Sequence, residues 1–130
     1  AETTRVIAIT QLTSTSPETL KTEQLVEVPL VESVRNYAKL AQAAGLTGVV
    51  CSAHEAADIA SVTGPDFLRV TPGIRPAGSA GGDQFRVATP GNAAVMGSSA
   101  IVVGRPITKA DDPVAAYHAV RDDWNAGRKA

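Results

Sequence analysis

The amino-acid sequence predicts a parallel α/β fold in which four strands alternate with helices. Four short runs are continuously apolar and rich in β-branched residues, which is typical of strands that are covered on both faces. These runs lie at residues 6–12, 47–52, 67–71 and 100–104. The segments between them repeat apolar residues every three or four positions, as amphipathic helices do. This alternation predicts parallel strands joined by crossover helices.

The first two long helices are bounded by glycine. Residues 30–44 carry the apolar repeat of one helix, and Gly45 follows as its C-terminal stop. The next helix is predicted over residues 55–62, because Gly64 lies just beyond it. Each of these helices is long enough to lead the chain back to the start of the next parallel strand.

The last two helices begin with capping signals. Thr89 and Pro90 supply a cap and a first-turn proline for a helix that extends to Gly97. The final helix is predicted from about Asp111 through Trp124. Its apolar face consists of Val114, Tyr117, Val120 and Trp124. At this helical spacing the two aromatic residues are expected to pack in the core rather than stack on a ligand.

Two loops, at residues 13–29 and 75–89, are longer than the others. The first contains a predicted short helix, because Ser16, Pro17 and Glu18 form a cap, a first-turn proline and a first-turn acid. Long loops in a compact α/β domain usually bind or cover ligands. Both loops follow the C-terminal ends of predicted strands, where α/β folds place their sites. We therefore expect both to be active-site loops.

Composition narrows the class of protein. The 130 residues are 44% apolar and 19% charged, which fits a single folded domain over residues 1–130. The apolar runs are far shorter than the ~20 residues of a membrane span, and we expect neither a membrane segment nor a secretory signal. The net charge of −1 provides no basic field for nucleic acid. The single cysteine fits a reducing cytoplasm.

The chain is short for a closed barrel. A (βα)₈ barrel needs roughly 250 residues, so four βα units amount to about half of one. An open doubly wound sheet is the alternative, although no G-x-G-x-x-G follows the first strand. A (βα)₄ half barrel would leave two unpaired strand edges and an apolar interior face. We therefore expect the isolated chain to associate, either with a missing half or with a second copy.

The ends of the third and fourth strands carry residues suited to binding phosphate. Gly104 would let the backbone approach a phosphate, Arg105 offers a bidentate guanidinium, and Arg75 is a second cation on the same rim. In barrels the loops after the last two strands commonly form such a site with a helix N-terminus. The alternative, surface arginines beside ordinary turn glycines, is equally compatible with these residues alone.

Five motifs together resemble one family. They are TQLTST (10–15), GVVCSA (48–53), VTPGIRP (70–76), GDQFRV (82–87) and IVVGRPIT (101–108). In order and approximate spacing they resemble strands five to eight of orotidine 5′-phosphate decarboxylase, a TIM barrel. The resemblance implies a cytoplasmic carboxy-lyase of pyrimidine biosynthesis that converts orotidine 5′-phosphate to UMP and CO₂. It further implies a homodimer with sites at the subunit interface, and neither cofactor nor metal.

The resemblance also implies roles for individual residues. Thr13 matches a position that reads the pyrimidine ring, and Arg75 matches a position in the nucleotide pocket. Gln84 matches the loop glutamine that reaches between pyrimidine and phosphate. Gly104 and Arg105 match the phosphate-binding positions. All five are expected to bind substrate, and remote phosphate binding is expected to help drive loop closure.

The sequence departs from the family in its catalytic motif. The family's chemistry depends on an Asp-x-Lys-x-x-Asp motif after strand two and on an earlier Lys and Asp. The four lysines of this chain are Lys21, Lys39, Lys109 and Lys129, and none lies in such a motif. We therefore expect no catalytic residue in this segment and no turnover by the chain alone. The alternatives are a non-catalytic half barrel, proteolytic or engineered, and another phosphate-binding barrel lyase or isomerase.

Other reactive residue types have simpler interpretations. Cys51 ends an apolar strand without a basic sequence neighbour, so a buried, inert thiol is expected. Ser52 and His54 lack an acid placed for a triad, and a hydrogen bond at the strand end is expected instead. His54 and His118 are too few for a metal site. The acidic pair Asp122 and Asp123, with Arg121, is expected on a solvated helix face.

Overall fold

A computed structural model describes residues 4–79 and 86–130. Its four strands form one sheet in the order β1-β2-β3-β4, and all three pairings are parallel. The strands are β1 (Ile7–Ile9), β2 (Gly48–Val50), β3 (Leu68–Thr71) and β4 (Ala100–Ile101). The parallel four-strand sheet predicted from the sequence is thus confirmed.

The strands are shorter than the apolar runs that predicted them. Hydrogen bonding continues one residue further in three cases. Thr10 N donates to Val50 O at 3.2 Å, Cys51 N to Val70 O at 3.1 Å and Val102 N to Thr71 O at 3.0 Å. Beyond these bonds the chain turns into the loops at the C-terminal edge of the sheet. The apolar runs therefore include the first residues of those loops.

Helices follow the strands as expected, with two additions. They are α1 (Pro17–Thr22), α2 (Leu30–Ala43), α3 (Ala56–Thr63), α4 (Pro90–Val95), α5 (Arg105–Thr108) and α6 (Pro113–Lys129). A 3₁₀ turn, Ala53–Glu55, precedes α3. Short α5 was not predicted, and α6 extends past Trp124 because Arg128 and Lys129 favour its last turn. Among the described residues, no helix combines the length and apolarity needed to cross a bilayer.

The core lies between one face of the sheet and the helices, in two clusters. The first joins α2 and α3 to β2 through Val34, Ala38, Val49, Cys51 and Ile59. The second joins Ala53, Ile74, Ala88 and Ala93 near α4, with Trp124 of α6 packed against it. Because this packing involves Trp124, it confirms the structural interpretation of the tryptophan.

The other face of the sheet is open among the described residues. Ile9 and Val102 are 58% and 52% exposed. Ile9 alternates with Ala8, which packs against the first cluster, so Ile9 points to the opposite side. A parallel sheet normally has both faces covered. The open apolar face indicates a sheet whose second cover is not contained in these residues.

Only half of the predicted apolar face of α6 is packed against the rest of the described chain. Val120 is buried and Trp124 packs in the core, but Val114 and Tyr117 are 65% and 53% exposed. The expected core packing of Tyr117 is therefore wrong for the described residues. The physical reason is position, since the N-terminal half of α6 lies beside the edge strand β4. There an apolar depression of about 330 Å³ opens, lined by Ile101, Val103, Ile107, Tyr117, Val120, Arg121 and Trp124.

The C-terminal half of α6 packs closely on α4 at a pair of glycines. A Cβ at Gly127 would collide with the backbone carbonyl of Gly91. Asp123 Oδ2 accepts a hydrogen bond from Gly91 N at 2.9 Å. Asp123 therefore anchors α4 while it stays exposed, so the predicted solvated face is confirmed. Arg121 and Asp122 do form the expected exposed pair, with Nη2 and Oδ1 2.8 Å apart.

Candidate functional site

The loop after β1 is fixed by buried polar side chains. Thr10 Oγ1 donates to Val50 O at 2.9 Å. Gln11 Nε2 donates to Gln24 Oε1 at 3.1 Å and to Ser33 Oγ at 3.3 Å. Thr10, Gln11 and Ser33 are all buried. The backbone that leads to Thr13 is therefore held to β2, to α2 and to the segment after α1.

Thr13 lies against the loop that follows β3. Its side chain is buried, and a Cβ at Gly73 would lie 3.4 Å from both Cβ and Oγ1 of Thr13. The same Cβ would lie 3.2 Å from the carbonyl oxygen of Arg86. Gly73 has φ +73°, a conformation that other residues rarely adopt. Glycine at position 73 thus allows the loops after β1 and β3 to meet at Thr13.

A buried ion pair joins the same two loops to the segment after β2. The Arg86 guanidinium pairs with Glu55 Oε1, and the two side chains are only 13% and 7% exposed. The second carboxylate oxygen of Glu55 accepts from Ser52 N at 3.0 Å. Arg86 Nη2 donates to Leu12 O at 2.5 Å and to Gln11 O at 3.4 Å. Arg86 N also donates to Thr13 O at 3.4 Å.

Residues 86–88 run beside the end of β3. Arg75 N donates to Ala88 O at 2.9 Å, and Ala88 N donates to Gly73 O at 3.4 Å. A ring nitrogen of His54, Nε2, lies 2.9 Å from Val87 O. We call the group formed by Leu12, Thr13, Glu55, Gly73 and Arg86 the strand-end cluster. It contains loops from three of the four strands.

Arg75 lies next to the strand-end cluster. Its guanidinium donates to Ile74 O at 3.0 Å. It lines a groove of about 250 Å³ together with residues 76–79, 87–89 and Asn92. This groove places a partly exposed cation at the C-terminal edge of the sheet, as the sequence predicts.

Gly104 and Arg105 follow β4 at the same edge. Gly104 is the residue before α5, and Arg105 is the first residue of that helix. A Cβ at Gly104 would meet no atom within 4 Å. Arg105 is exposed. We call Val102, Gly104 and Arg105 the β4 rim. This part of the site is open, whereas the strand-end cluster is packed.

The predicted site residues are thus divided between two places. Thr13 and Arg75 lie in or beside the strand-end cluster, and Gly104 and Arg105 form the β4 rim. Gln84 lies outside the described residues. The ends of parallel strands share one edge, so all four described residues lie at the edge where α/β folds bind ligands.

Sequence reasoning missed Glu55 and Arg86, although each carries a signal. Ser52 and Glu55 have the S-x-x-E spacing of a capping box, which indicates an acid that faces back to the strand end. Arg86 lies within the GDQFRV motif, but no role follows from that position alone. The sequence gives no indication that the two side chains meet, because 31 residues separate them.

The remaining reactive groups offer little chemistry. Burial, with a further contribution from Glu55, raises the pKa of the Cys51 thiol to about 12, which fits the inert thiol expected there. Arg69 and Arg86, which are distant in sequence, lower the pKa of Cys51, but burial has the larger effect. Within residues 4–79 and 86–130, no three metal-ligating side chains converge. All four lysines are exposed.

Comparison with known proteins shows the same resemblance over nearly the whole chain. A sequence model of the "Orotidine 5'-phosphate decarboxylase / HUMPS family" matches residues 1–120. An orotidine 5'-phosphate decarboxylase of Cutibacterium acnes is 94% identical over all 130 residues, which are 55% of its length. One from Listeria monocytogenes is 59% identical over 94% of this chain and 52% of its own. The chain thus spans about half the length of the curated relatives it matches.

Solved structures agree with this match. The crystal structure of orotidine 5'-phosphate decarboxylase from Lactobacillus acidophilus has a TM-score of 0.77 and 47% identity. The alignment covers 94% of this chain and 50% of that one. The enzyme from Pyrococcus horikoshii OT3, at 20% identity and a TM-score of 0.66, supports the fold alone. The predicted fold class, a (βα)₄ half of the TIM-barrel family, is confirmed.

Proposed function

The chain belongs to the orotidine 5'-phosphate decarboxylase / HUMPS family, and we propose that it supplies the nucleotide-binding half of an orotidine 5′-phosphate decarboxylase. In this proposal the complete barrel converts orotidine 5′-phosphate to UMP and CO₂ in the cytoplasm. The chain's own residues bind the pyrimidine at one end and the phosphate at the other. No cofactor takes part.

The observation that carries this proposal is the open backbone at Gly104. Gly104 directly precedes α5, and the space that a side chain would fill there is open in the described chain. A phosphate oxygen could occupy that space, and Arg105 follows directly on the exposed rim. Backbone amides and a guanidinium are suited to bind a dianion.

The opposite end of the ligand would lie at the strand-end cluster. Thr13 offers a short hydroxyl and its backbone in a buried, polar setting, which suits the neutral edge of a pyrimidine. Arg75 supplies a cation in the adjacent groove, and we propose that it contacts the nucleotide there. Gln84 is proposed to reach between base and phosphate from the second loop.

Binding at two separated ends has a consequence for rate. Contacts to a phosphate remote from the reacting carbon can be used to order the loops around the base. This chain alone would bind in this way without catalysing the reaction, because its lysines are exposed and none lies in an Asp-x-Lys-x-x-Asp motif. A developing carbanion needs a positioned ammonium group to stabilise and protonate it.

The partner in this proposal is the remaining half of the barrel. The relatives are about twice as long as this chain, and the exposed Ile9 and Val102 lie on a sheet face that a second half would cover. A second copy of this chain is the competing occupant. A homodimer of completed barrels belongs to the same proposal, as the family resemblance implies.

The test measures turnover and binding separately. The isolated 130-residue chain should show no decarboxylation of orotidine 5′-phosphate, and calorimetry should still detect weak UMP binding. Adding the remaining half, taken from the 94% identical relative, should restore turnover. Turnover by the chain alone, or none after addition of a folded second half, would contradict the proposal.

Sedimentation identifies what covers the open face. The isolated chain should self-associate at micromolar concentration, and Val102→Lys should reduce that association because a charge would have to be buried. Addition of the remaining half should replace the self-associated species with a one-to-one complex. A monomer at these concentrations would count against an exposed docking face.

A further inference from the structure

Arg86 contacts all three loops of the strand-end cluster. Its guanidinium pairs with Glu55 after β2, and Nη2 donates to the carbonyls of Gln11 and Leu12 after β1. Its backbone N donates to Thr13 O, and its carbonyl lies close to Gly73 after β3. One residue therefore fixes the relative positions of three loops.

Burying the charge of Arg86 has a desolvation cost that apolar residues at the same place would not have. Well-packed apolar residues in place of a buried ion pair often leave stability unchanged or raise it. The Arg86 and Glu55 side chains are 13% and 7% exposed, so the desolvation cost applies to both. Stability is thus a weak explanation for the presence of this ion pair. Apolar residues could not, however, replace the hydrogen bonds that Arg86 donates to the carbonyls of residues 11 and 12.

Those carbonyls immediately precede Thr13. The guanidinium holds them at 3.4 Å and 2.5 Å, and the Arg86 amide holds the carbonyl of Thr13 itself. The planar guanidinium can bond a carboxylate on one branch and carbonyls on the other, whereas a lysine ammonium is a single point of charge. The direction of the Thr13 side chain thus depends on both branches of Arg86.

We propose that Arg86 is a positioning residue for the pyrimidine end of the site, and that Glu55 serves it by fixing the guanidinium. The inference rests on the proposed function, in which Thr13 contacts the base. Arg86 acts through the backbone of residues 11–13 and does not itself touch the nucleotide. Loss of its second branch should therefore weaken recognition of the base and leave the phosphate end unaffected.

The experiment compares two ligands that share a phosphate and differ in the base. UMP and ribose 5-phosphate are titrated by calorimetry into the full-length protein, formed by this chain and the remaining half of the barrel. Arg86→Lys keeps the charge beside Glu55 but loses one branch, and it should weaken UMP binding about tenfold, as loss of a hydrogen bond to a charged group does. Its affinity for ribose 5-phosphate should stay within about twofold of the wild-type value.

A double variant separates positioning from folding. Glu55→Leu with Arg86→Met removes both charges together, so no unpaired charge is left buried. We expect its Tm to be close to that of the wild type while its preference for UMP stays reduced. Arg35→Lys is the matched control, because Arg35 pairs with Asp58 between α2 and α3, away from the site, and there both affinities should be unchanged.

The outcomes separate the two proposals. A wild-type protein that binds UMP no better than ribose 5-phosphate would overturn the proposed function and this inference with it. A wild-type preference for UMP that survives Arg86→Lys, or that the stable double variant retains, would overturn the inference alone. Equal losses for both ligands in Arg86→Lys would show a general structural role and overturn it as well.

Discussion

The strand-end cluster and the β4 rim lie at the same edge of one sheet and differ in how closely the described chain packs around them. In the cluster, Glu55 and Arg86 are buried and paired, and Thr13 packs against Gly73. On the rim, Val102 and Arg105 are exposed and the space beside Gly104 is open. Within the described residues the cluster is packed, whereas the rim is open. The difference separates the part of the proposed site whose geometry buried contacts fix from the part where we propose that the phosphate binds.

Removing one partner of the buried pair should have the largest effect. Glu55→Ala leaves the Arg86 guanidinium buried and without its carboxylate, and we expect a loss of about 3–5 kcal/mol in the free energy of unfolding. Urea denaturation of the full-length protein measures it. Asp122→Ala is the control, since that exposed pair should contribute only about 0–1 kcal/mol. Equal losses in the two variants would remove the distinction between a packed cluster and an open surface.

The rim should respond in binding rather than in stability. Arg105→Ala should weaken phosphate binding by about 1.5–3 kcal/mol, the range for a charge-assisted hydrogen bond, and change the unfolding free energy little. Calorimetry with inorganic phosphate and urea denaturation give the two values. A variant with reduced stability and unchanged phosphate affinity would show that Arg105 serves the fold instead.

Thr13 should affect only the base. Thr13→Ala removes one hydroxyl, so we expect UMP affinity to fall by about 0.5–1.5 kcal/mol with no change for inorganic phosphate. Calorimetric titration of both ligands checks this, and Thr13→Ser, which keeps the hydroxyl, is the matched control. A loss of phosphate affinity in Thr13→Ala would mean that the cluster and the rim are not separate ends of the site.

Cys51 should affect the free energy of unfolding only in alkali. Burial raises its pKa from 9.0 to about 12, so the folded state keeps a proton that the unfolded state releases. The stabilisation is fully present below pH 9 and is lost as the pH rises towards 12, by roughly 1.4 kcal/mol per pH unit. Urea denaturation at pH 8 and pH 10 should show this loss in the wild type. Cys51→Ala should lack this component of the pH dependence.

The fold could be predicted from the sequence because its signals are local. The apolar runs predicted β1 to β4, the caps and prolines at residues 16–17 and 89–90 predicted where α1 and α4 begin, and α6 begins close to the predicted Asp111. Short α5 was missed because its four residues are too few to show an apolar period. The exposure of Tyr117 was missed because helical spacing cannot reveal that an edge strand has no neighbour.

The site could be predicted only in part, for a related reason. Gly104 and Arg105 are adjacent in sequence, so the sequence alone predicts that they lie next to each other. The pairing of Glu55 with Arg86 depends on two loops meeting across the sheet, and no local pattern records it. The hydrogen bond between Asp123 and Gly91 was missed in the same way, because Gly91 is 32 residues away on another helix.

The close crossing of α4 and α6 at Gly91 and Gly127 gives this chain a built-in optical reporter. Trp124 is its single tryptophan, and it packs against the core next to that crossing. Intrinsic fluorescence therefore follows the docking of the last helix, while circular dichroism follows all helices together. An Ala at position 127 would push α6 away from α4, and the emission should shift to the red before most of the helical signal is lost. Fluorescence thus offers a way to observe the last helix loosen while the rest of the half barrel is still folded.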